Sequence, residues 1–171
     1  MPATRLAATA IDRIPLARVE TADEIASYAG SDGLCYFADG PASLIARQEA
    51  EWSPWLDWAE RDLGVRLNRA EGIAHVAQPP ESLARVRELA LGLDDFALTG
   101  LATAVGLFGS AVLALAVQRG ALSGDAAYDL SRLEEAFQET RWGVDAEAAA
   151  RTASRRAEAE LLDRWFRALA A

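Results

Sequence analysis

Two adjacent glutamates, Glu134 and Glu135, have the clearest potential for chemistry in this chain. A pair of carboxylates can act as a general acid and a general base when both reach the same substrate. The surrounding residues contain no phosphate-binding glycine loop, no metal-ligand spacing and no substrate-binding motif. A catalytic Glu134 would therefore need a second carboxylate from elsewhere in the fold. A salt bridge to Arg132 or Arg141 is the simpler role for its side chain.

Metal and cofactor chemistry has few candidate residues. Cys35 is the only cysteine and His75 is the only histidine, so a transition-metal site would consist almost entirely of carboxylates. The glycines Gly106 and Gly109 follow no strand, unlike those of a dinucleotide-binding loop. Ser110 lies in an apolar stretch, where a serine usually bonds to a carbonyl one turn back. We expect no catalytic residue, no metal and no cofactor.

The charge balance argues against a nucleic-acid partner. The net charge of the 171 residues is −9, whereas nucleic-acid binding needs a basic patch that displaces counterions. The densest basic cluster, formed by Arg151, Arg155 and Arg156, is interleaved with glutamates and predicts a solvated helix face. We find no repeat, no linker and no composition shift, and expect residues 1–171 to form a single domain.

The stretch Leu98–Val117 contains no charged residue and is long enough to cross a bilayer. A membrane-anchored helical module is therefore one alternative for this protein. However, the flanks are Asp94 and a lone Arg119, without the basic cluster or aromatic belt of a membrane span. The same composition is typical of a central helix buried on all sides in a soluble bundle, which we favour because of those flanks. We expect no membrane insertion.

Hydrophobic periodicity and capping residues predict a mainly α fold, a multi-helix orthogonal or bundle-like domain around that central apolar helix. Up to two short extended segments accompany the helices, one at Leu34–Phe37 and one within Val65–Val76. The first four predicted helices are Thr4–Ile14 (ended by Pro15), Thr21–Ala29, Pro41–Glu51 and Ser53–Leu63. The next is opened by Pro79-Pro80 and runs to Leu91, and the long apolar helix is capped by Asp94 or Asp95 and ends at Gly120. The last two start at Ser123 or Asp125, ending at Gly143, and at Asp145, ending at Leu169.

The predicted helix ending at Gly143 places the two glutamates on different faces. Leu130, Leu133 and Phe137 repeat at helical spacing and define a buried stripe. Glu134 lies at the edge of that stripe, where it could contact a partner, whereas Glu135 points into solvent. Gln138 follows Glu134 by one turn and could hydrogen-bond to it. Trp142, the last residue before Gly143, is expected to close the helix end onto its neighbour.

Three tryptophans follow one another at a spacing of three residues, Trp52, Trp55 and Trp58. Tryptophan is enriched among binding hot spots, so they could form an aromatic docking surface. They could equally anchor the core. We favour the core for Trp58 and leave both roles open for Trp52 and Trp55.

The order and spacing of several short motifs resemble a known family over nearly the whole chain. The family comprises assembly chaperones that hold the alpha subunit of the F-type ATP synthase before the catalytic head is built. The matching segments are Thr4–Arg13, Cys35-Tyr36, Gln48–Trp52 with Pro54, Gln78-Pro79, Ser110 with Leu113–Ala116, and the Leu133–Gly143 run LEEAFQETRWG.

The resemblance implies a non-enzymatic chaperone that binds the unassembled alpha subunit and prevents its aggregation. In that family a β-rich N-terminal domain precedes the threonine-arginine-leucine segment, so this chain resembles the helical C-terminal domain alone. The resemblance also implies an essential glutamate in the LEE motif, and we assign this role to Glu134. A small helical hydrolase using Glu134 remains an alternative, beside the membrane-anchored module through Leu98–Val117.

The remaining expectations concern place and partners. The protein is expected to be a monomer, in the cytoplasm if it is bacterial and in the mitochondrial matrix if it is eukaryotic. The predicted partner-binding residues are Glu134, Glu135, Gln138, Trp142, Trp52 and Trp55.

Overall fold

A computed structural model describes residues 2–171. Helices dominate this part of the chain, and the predicted mainly α fold class is confirmed. The helices are α1 (Pro2–Asp12), α2 (Ile14–Ala29), α3 (Ala42–Trp58), α4 (Pro80–Leu91), α5 (Asp95–Phe108), α6 (Ala111–Gln118), α7 (Gly124–Ser131), α8 (Leu133–Trp142) and α9 (Ala146–Ala170). A short 3₁₀ turn (Gly33–Cys35) and a π turn (Ala59–Leu63) complete the helical elements of residues 2–171.

The two extended segments predicted from the sequence pair with each other. Strand β1 (Tyr36–Phe37) runs parallel to β2 (Ala70–Glu71), with Tyr36 opposite Ala70 and Phe37 opposite Glu71. A parallel pair needs a long crossover connection. Here α3 and the π turn provide that connection, so the small sheet is held against α3.

The central apolar stretch forms two helices, and the prediction of one long helix from Asp95 to Gly120 was wrong. Helix α5 ends where Gly109 adopts a left-handed conformation with φ +62°. Ser110 then begins α6, because its hydroxyl accepts a hydrogen bond from the Leu113 N–H at 3.1 Å. The expected bond from Ser110 to a carbonyl one turn back is therefore replaced by an N-cap.

Both halves of this stretch are buried against other helices. Helix α5 packs on α1, α2 and α9, and α6 packs on α5, α7 and α9. Within residues 2–171, no helix combines the length and the apolar character that a membrane crossing needs. The stretch Leu98–Val117 instead supplies 12 of the 35 buried apolar residues that form the core of residues 2–171.

Asp32 connects the turn before β1 to the joint between α5 and α6. Its carboxylate is fully buried and accepts hydrogen bonds from the Leu34 N–H and the Val112 N–H, both at 3.0 Å. The Gly33 N–H donates to the Gly109 carbonyl at 3.0 Å. Burial raises the pKa of the Asp32 carboxyl, and the donated backbone hydrogen bonds oppose that rise.

The first two helices differ from the prediction at Pro15. Proline is tolerated in the first turn of a helix, where its missing N–H has no partner to lose. Pro15 accordingly lies in the first turn of α2 and does not end a helix. The preceding helix, α1, already ends at Asp12. The predicted capping role of Thr21 is also wrong, since Thr21 lies inside α2 and its hydroxyl donates to the Ala17 carbonyl at 2.7 Å.

Helix α3 continues through Ser53 and Pro54, where the sequence predicted two separate helices. The Ser53 hydroxyl donates to Glu49 Oε2 at 2.8 Å, so it does not cap a new helix. Pro54 is accommodated inside α3. The helix then loosens into the π turn and ends at Gly64, whose φ of +71° explains the glycine at that position.

The predicted helix Ser123–Gly143 is interrupted at Arg132. The Ser131 hydroxyl donates to the Tyr128 carbonyl at 2.7 Å, the carbonyl that would accept from the Arg132 N–H in a continuous helix. The Arg132 N–H bonds to the Asp129 carbonyl, and the backbone leaves the helical region at φ −117° and ψ 22°. Leu130 and Leu133 therefore belong to different helices, α7 and α8.

Candidate functional site

The sequence-predicted glutamates line an open surface groove. Two adjoining hollows, of about 400 Å³ and 560 Å³, share the side chains of Tyr36 and Glu134. We call them together the Tyr36 groove. The first hollow is also lined by Gly33, Trp52, Ser131, Arg132, Glu135 and Gln138, and the second by Phe37, Ala38, Asp39, Gly40, Gly72 and Ile73.

The groove is positioned by α3, which lies behind both of its sides. The Trp52 indole N–H donates to the Leu130 carbonyl at 2.9 Å and so fixes the end of α7 just before α8 begins. The Trp52 ring packs edge-on against Phe37 of β1, with 5.7 Å between the ring centres. One buried side chain therefore sets the distance between the small sheet and the start of α8.

Glu134 makes no salt bridge and no side-chain hydrogen bond among residues 2–171. The predicted salt bridge to Arg132 or Arg141 was wrong. Arg132 reaches Glu139 Oε1 at 2.6 Å and Glu135 Oε2 at 3.9 Å. The side chain of Arg132 is only 12% exposed, so its charge is held inside the protein surface and leaves Glu134 unneutralised.

The other predicted residues of α8 are arranged around Glu134. Glu135 and Gln138 are exposed and line the first hollow, as Glu134 does. In the part of the chain that the structure describes, Gln138 forms no side-chain hydrogen bond to Glu134. Arg141 lies over the Phe137 ring, with 5.1 Å from the guanidinium carbon to the ring centre.

Trp142 is 82% exposed. The expectation that it closes the end of α8 onto a neighbouring element was therefore wrong. Gly143 follows it with φ +78°, and Val144 is exposed as well. An exposed tryptophan at the tip of a helix remains available for contact with another molecule.

The tryptophans of α3 have separate roles. Trp52 is 5% exposed, so the expectation that it contacts a partner is corrected to a core position at the floor of the groove. Trp55 and Trp58 are half-buried and pack edge-on at 5.7 Å between ring centres, both against the core. The core position favoured for Trp58 agrees with this packing. Trp55 does not line the Tyr36 groove.

Sequence reasoning missed Tyr36, Asp39 and Ile73. Ile73 is fully exposed at the tip of the loop that follows β2, immediately after Gly72 with φ +72°. The sequence carried only a weak signal for Ile73, because single exposed apolar residues are common on protein surfaces. Asp39 could not have been found, since only the pairing of β1 with β2 brings it to the same hollow as Ile73.

The groove is acidic and open. Asp39, Glu134 and Glu135 are exposed at its surface, and the Arg132 charge is already paired with glutamates. A carboxylate on an open surface remains hydrated, which does not suit a general acid or base. The arrangement is suited to binding a cationic, partly apolar surface, and nothing in it favours the hydrolytic alternative.

Cys35 lies directly beneath this region. It is completely buried, and burial raises the pKa of its thiol. A buried thiol of raised pKa is a poor nucleophile and a poor metal ligand. We therefore assign Cys35 to the core.

Comparisons with known proteins point to one family. The family described as ATP12 chaperone protein matches residues 1–60. Protein atp12, mitochondrial, of Schizosaccharomyces pombe is 26% identical over 153 residues, which cover 84% of this chain and 52% of that protein. The chain thus spans about half the length of this curated relative.

Solved structures match over almost the entire chain. The crystal structure of Atp12 from Paracoccus denitrificans is 40% identical with a TM-score of 0.93, covering 98% of this chain and 72% of that one. An aspartate-to-lysine mutant of P. denitrificans Atp12p gives the same identity and TM-score, with 71% of its chain covered. A protein from Agrobacterium tumefaciens is 36% identical with a TM-score of 0.88, covering 97% of this chain and 62% of that one.

Proposed function

We propose a function for this chain from the premise that it belongs to the ATP12 chaperone family. The resemblance noted in the sequence is thereby confirmed. We propose that the chain is an assembly chaperone of the F-type ATP synthase and that it binds the alpha subunit before the catalytic head is built. The observation that carries the proposal is the match to the solved Atp12 fold at 40% identity.

The geometry of α8 supports a binding role for the LEE motif. Of the glutamates in α8, Glu135 and Glu139 lie within 4 Å of Arg132, and Glu134 alone has no cationic partner among the described residues. Because the Glu134 carboxylate has no salt bridge within the described residues, it can bind a partner's cation without breaking an existing ion pair. We infer that Glu134 makes the principal polar contact, with Glu135, Gln138 and Trp142 around it.

The mechanism we infer is physical shielding. An unassembled subunit exposes the apolar surface that its permanent neighbour will cover, and such surfaces promote aggregation. A chaperone that binds this surface reduces the concentration of the aggregating species by mass action. Contacts on an open, acidic surface are screened by solvent and are therefore weak. The permanent subunit can consequently displace the chaperone.

We further propose that the chain corresponds to the helical C-terminal domain of the family, works as a monomer and uses no nucleotide. The relatives it resembles are bacterial proteins and a mitochondrial one. Accordingly, we place the protein in the cytoplasm of a bacterium, or in the mitochondrial matrix of a eukaryote.

The proposal is tested by refolding the ATP synthase alpha subunit in the presence of this chain. Light scattering should fall as the chain is added, and the same amount of chain should leave aggregation of the beta subunit unchanged. Equal scattering of the alpha subunit with and without an excess of chain would contradict the proposal.

A charge reversal locates the contact. Glu134→Lys should raise the concentration needed for half-maximal protection by about tenfold, because like charges then oppose the partner's cationic group. The matched control is Glu24→Lys on the exposed side of α2, which should protect like the unmodified chain. The free energy of unfolding of each variant should lie within about 0.5 kcal/mol of the parent value, since both sites are exposed. Full protection by Glu134→Lys would remove Glu134 from the site.

A further inference from the structure

The segment Asn68–Gln78, which contains β2 and the loop after it, is closed by hydrogen bonds between its ends. The Gln78 amide accepts from the Asn68 N–H at 2.7 Å and donates to the Asn68 carbonyl at 3.0 Å. The Asn68 amide donates to the Ala77 carbonyl at 3.0 Å. A loop closed at its neck in this way presents its tip without a large ordering cost on binding.

Arg69, the residue just before β2, holds the same segment against α3. Its guanidinium donates to the Ser53 hydroxyl at 2.8 Å and to Asp57 Oδ1 at 3.0 Å. The guanidinium carbon also lies 5.8 Å from the centre of the Phe37 ring. This cation is already satisfied by groups of the chain itself, so it does not offset the acidic character of the Tyr36 groove.

The tip of the loop contributes an aliphatic side chain to the hollow that contains the unpaired carboxylate. Ile73, Glu134, Tyr36 and Asp39 all line this hollow. Ile73 is fully exposed, and neither Asp39 nor Glu134 forms a salt bridge within residues 2–171. The hollow therefore offers an apolar contact, an aromatic ring and two free carboxylates within one open space.

We propose that the Tyr36 groove binds a protein segment in which an arginine lies beside an aliphatic residue, with the guanidinium on Glu134 and Tyr36 and the aliphatic side chain on Ile73. Charge complementarity selects a cation. Arginine fits better than lysine because its planar guanidinium pairs with a carboxylate and stacks on an aromatic ring at the same time. The proposal rests on the proposed chaperone function and specifies the chemistry that the groove recognises.

A pair of short peptides tests this chemistry without the alpha subunit. The probes are the blocked tripeptides leucyl-arginyl-leucine and leucyl-glutaminyl-leucine, titrated into the ¹⁵N-labelled chain and followed by amide NMR shifts. The arginine peptide should bind with a dissociation constant of about 1 mM and about fivefold more tightly than the glutamine peptide. The shifts should concentrate on the amides of Tyr36, Ile73 and Glu134.

Two variants separate the polar contact from the apolar one. Glu134→Gln should remove the fivefold preference and leave binding of the glutamine peptide unchanged. Ile73→Ser should weaken both peptides by a similar factor, because both contain leucine. The matched controls are Glu24→Gln and Leu16→Ser, the latter at an aliphatic residue that is 90% exposed outside the groove. Neither control should change either affinity.

Three results would overturn the proposal: equal binding of the two peptides, shifts confined to other surfaces, or no shift up to about 10 mM peptide. Its failure is distinguishable from failure of the proposed function. A chain that protects the alpha subunit but ignores the peptides keeps its function and loses this binding chemistry. A chain that binds the arginine peptide but does not protect the subunit keeps the binding chemistry and loses the function.

Discussion

Asp32 joins two parts of the chain that lie about eighty residues apart, through the 3.0 Å bond between its carboxylate and the Val112 N–H. The same carboxylate accepts from Leu34 in the turn that leads into β1. Its position therefore affects both the α5–α6 joint at the centre of the core and the strand that carries Tyr36. A buried polar group with this many donors is costly to remove, because each donor would remain without an acceptor.

Replacing Asp32 should accordingly destabilise the fold. Asp32→Ala leaves the Leu34 and Val112 N–H groups buried and unpaired, and we expect a loss of about 3 kcal/mol in the free energy of unfolding. Urea denaturation measures the loss. Asp39→Ala is the control, since Asp39 is exposed and makes no side-chain hydrogen bond among residues 2–171. Equal stability of the two variants would show that Asp32 is not a structural link.

The raised pKa of Asp32 predicts how stability depends on pH. The folded chain keeps the proton of this carboxyl to a higher pH than the unfolded chain, whose group titrates near its ordinary value of 3.8. The unfolded chain thus binds fewer protons between the two pKa values, and the free energy of unfolding falls as the pH rises through that window.

Denaturation of the parent chain and of Asp32→Asn, which cannot titrate at this position, measures the effect between about pH 4 and pH 7. The stability of the parent relative to the variant should decrease with rising pH. An increase over the same range would mean that the backbone donors outweigh burial and lower the pKa of Asp32.

The role of a residue could be predicted from the sequence where that role depends on a single helix or strand. The exposed position of Glu135 was predicted correctly, whereas Glu134, expected at the edge of the buried stripe, is exposed as well. The burial of Trp52 depends on Leu130 and Phe37, which belong to other elements. Helical spacing contains no information on such partners, and so the sequence left the role of Trp52 open.

At the scale of elements, helix ends were predicted best where a capping residue is unambiguous. Helix α4 begins at Pro80 with Pro79 as its N-cap, and the Asp145 side chain accepts from the Ala148 N–H at 2.7 Å to begin α9, both as expected. The breaks inside Asp95–Gly120 and Ser123–Gly143 were missed. The first lies in a stretch without polar periodicity, and the second coincides with the bond from Ser131 to the Tyr128 carbonyl, which depends on a side-chain rotamer.

The contact between α7 and α9 depends on the absence of a side chain at Gly124. A Cβ built there would overlap the Ala159 carbonyl and lie 3.1 Å from the Asp163 Cβ. The two helices can approach this closely only because residue 124 is a glycine. At this short separation the Gly124 N–H donates to Asp163 Oδ2 at 3.1 Å.

Gly124→Ala should push α7 away from α9 and lower the free energy of unfolding by about 3 kcal/mol. Gly109→Ala provides the comparison, because its Cβ would meet no atom within 4 Å and only its φ of +62° is strained. That variant should lose about 1 kcal/mol. Thermal denaturation of both variants tests the difference, and a smaller loss for Gly124→Ala would argue against the close helix contact.

At the scale of the whole molecule, the net charge of −9 and the acidic groove should act in the same direction on a cationic partner. Exposed charges are screened over about 8 Å at physiological ionic strength. The affinity of the chain for the alpha subunit should therefore fall as sodium chloride is raised, mainly through slower association.

Titrations at about 0.05 M and 0.5 M salt, followed by light scattering or by surface-based kinetics, measure this dependence. The salt dependence of Glu134→Lys should be weaker than that of the parent. Protection that strengthens with salt would indicate an interface governed by apolar contacts, with the acidic groove outside it.

The complete burial of Cys35, together with its status as the only sulfhydryl in the sequence, has a practical consequence. A disulfide reagent in the surrounding solution can react only during moments when the segment beneath Tyr36 opens. The rate of modification under native conditions therefore records the frequency of that opening, without any introduced label. A bound partner that keeps this segment closed would slow the reaction. The modification rate of Cys35 would therefore report the fraction of the protein that has partner bound.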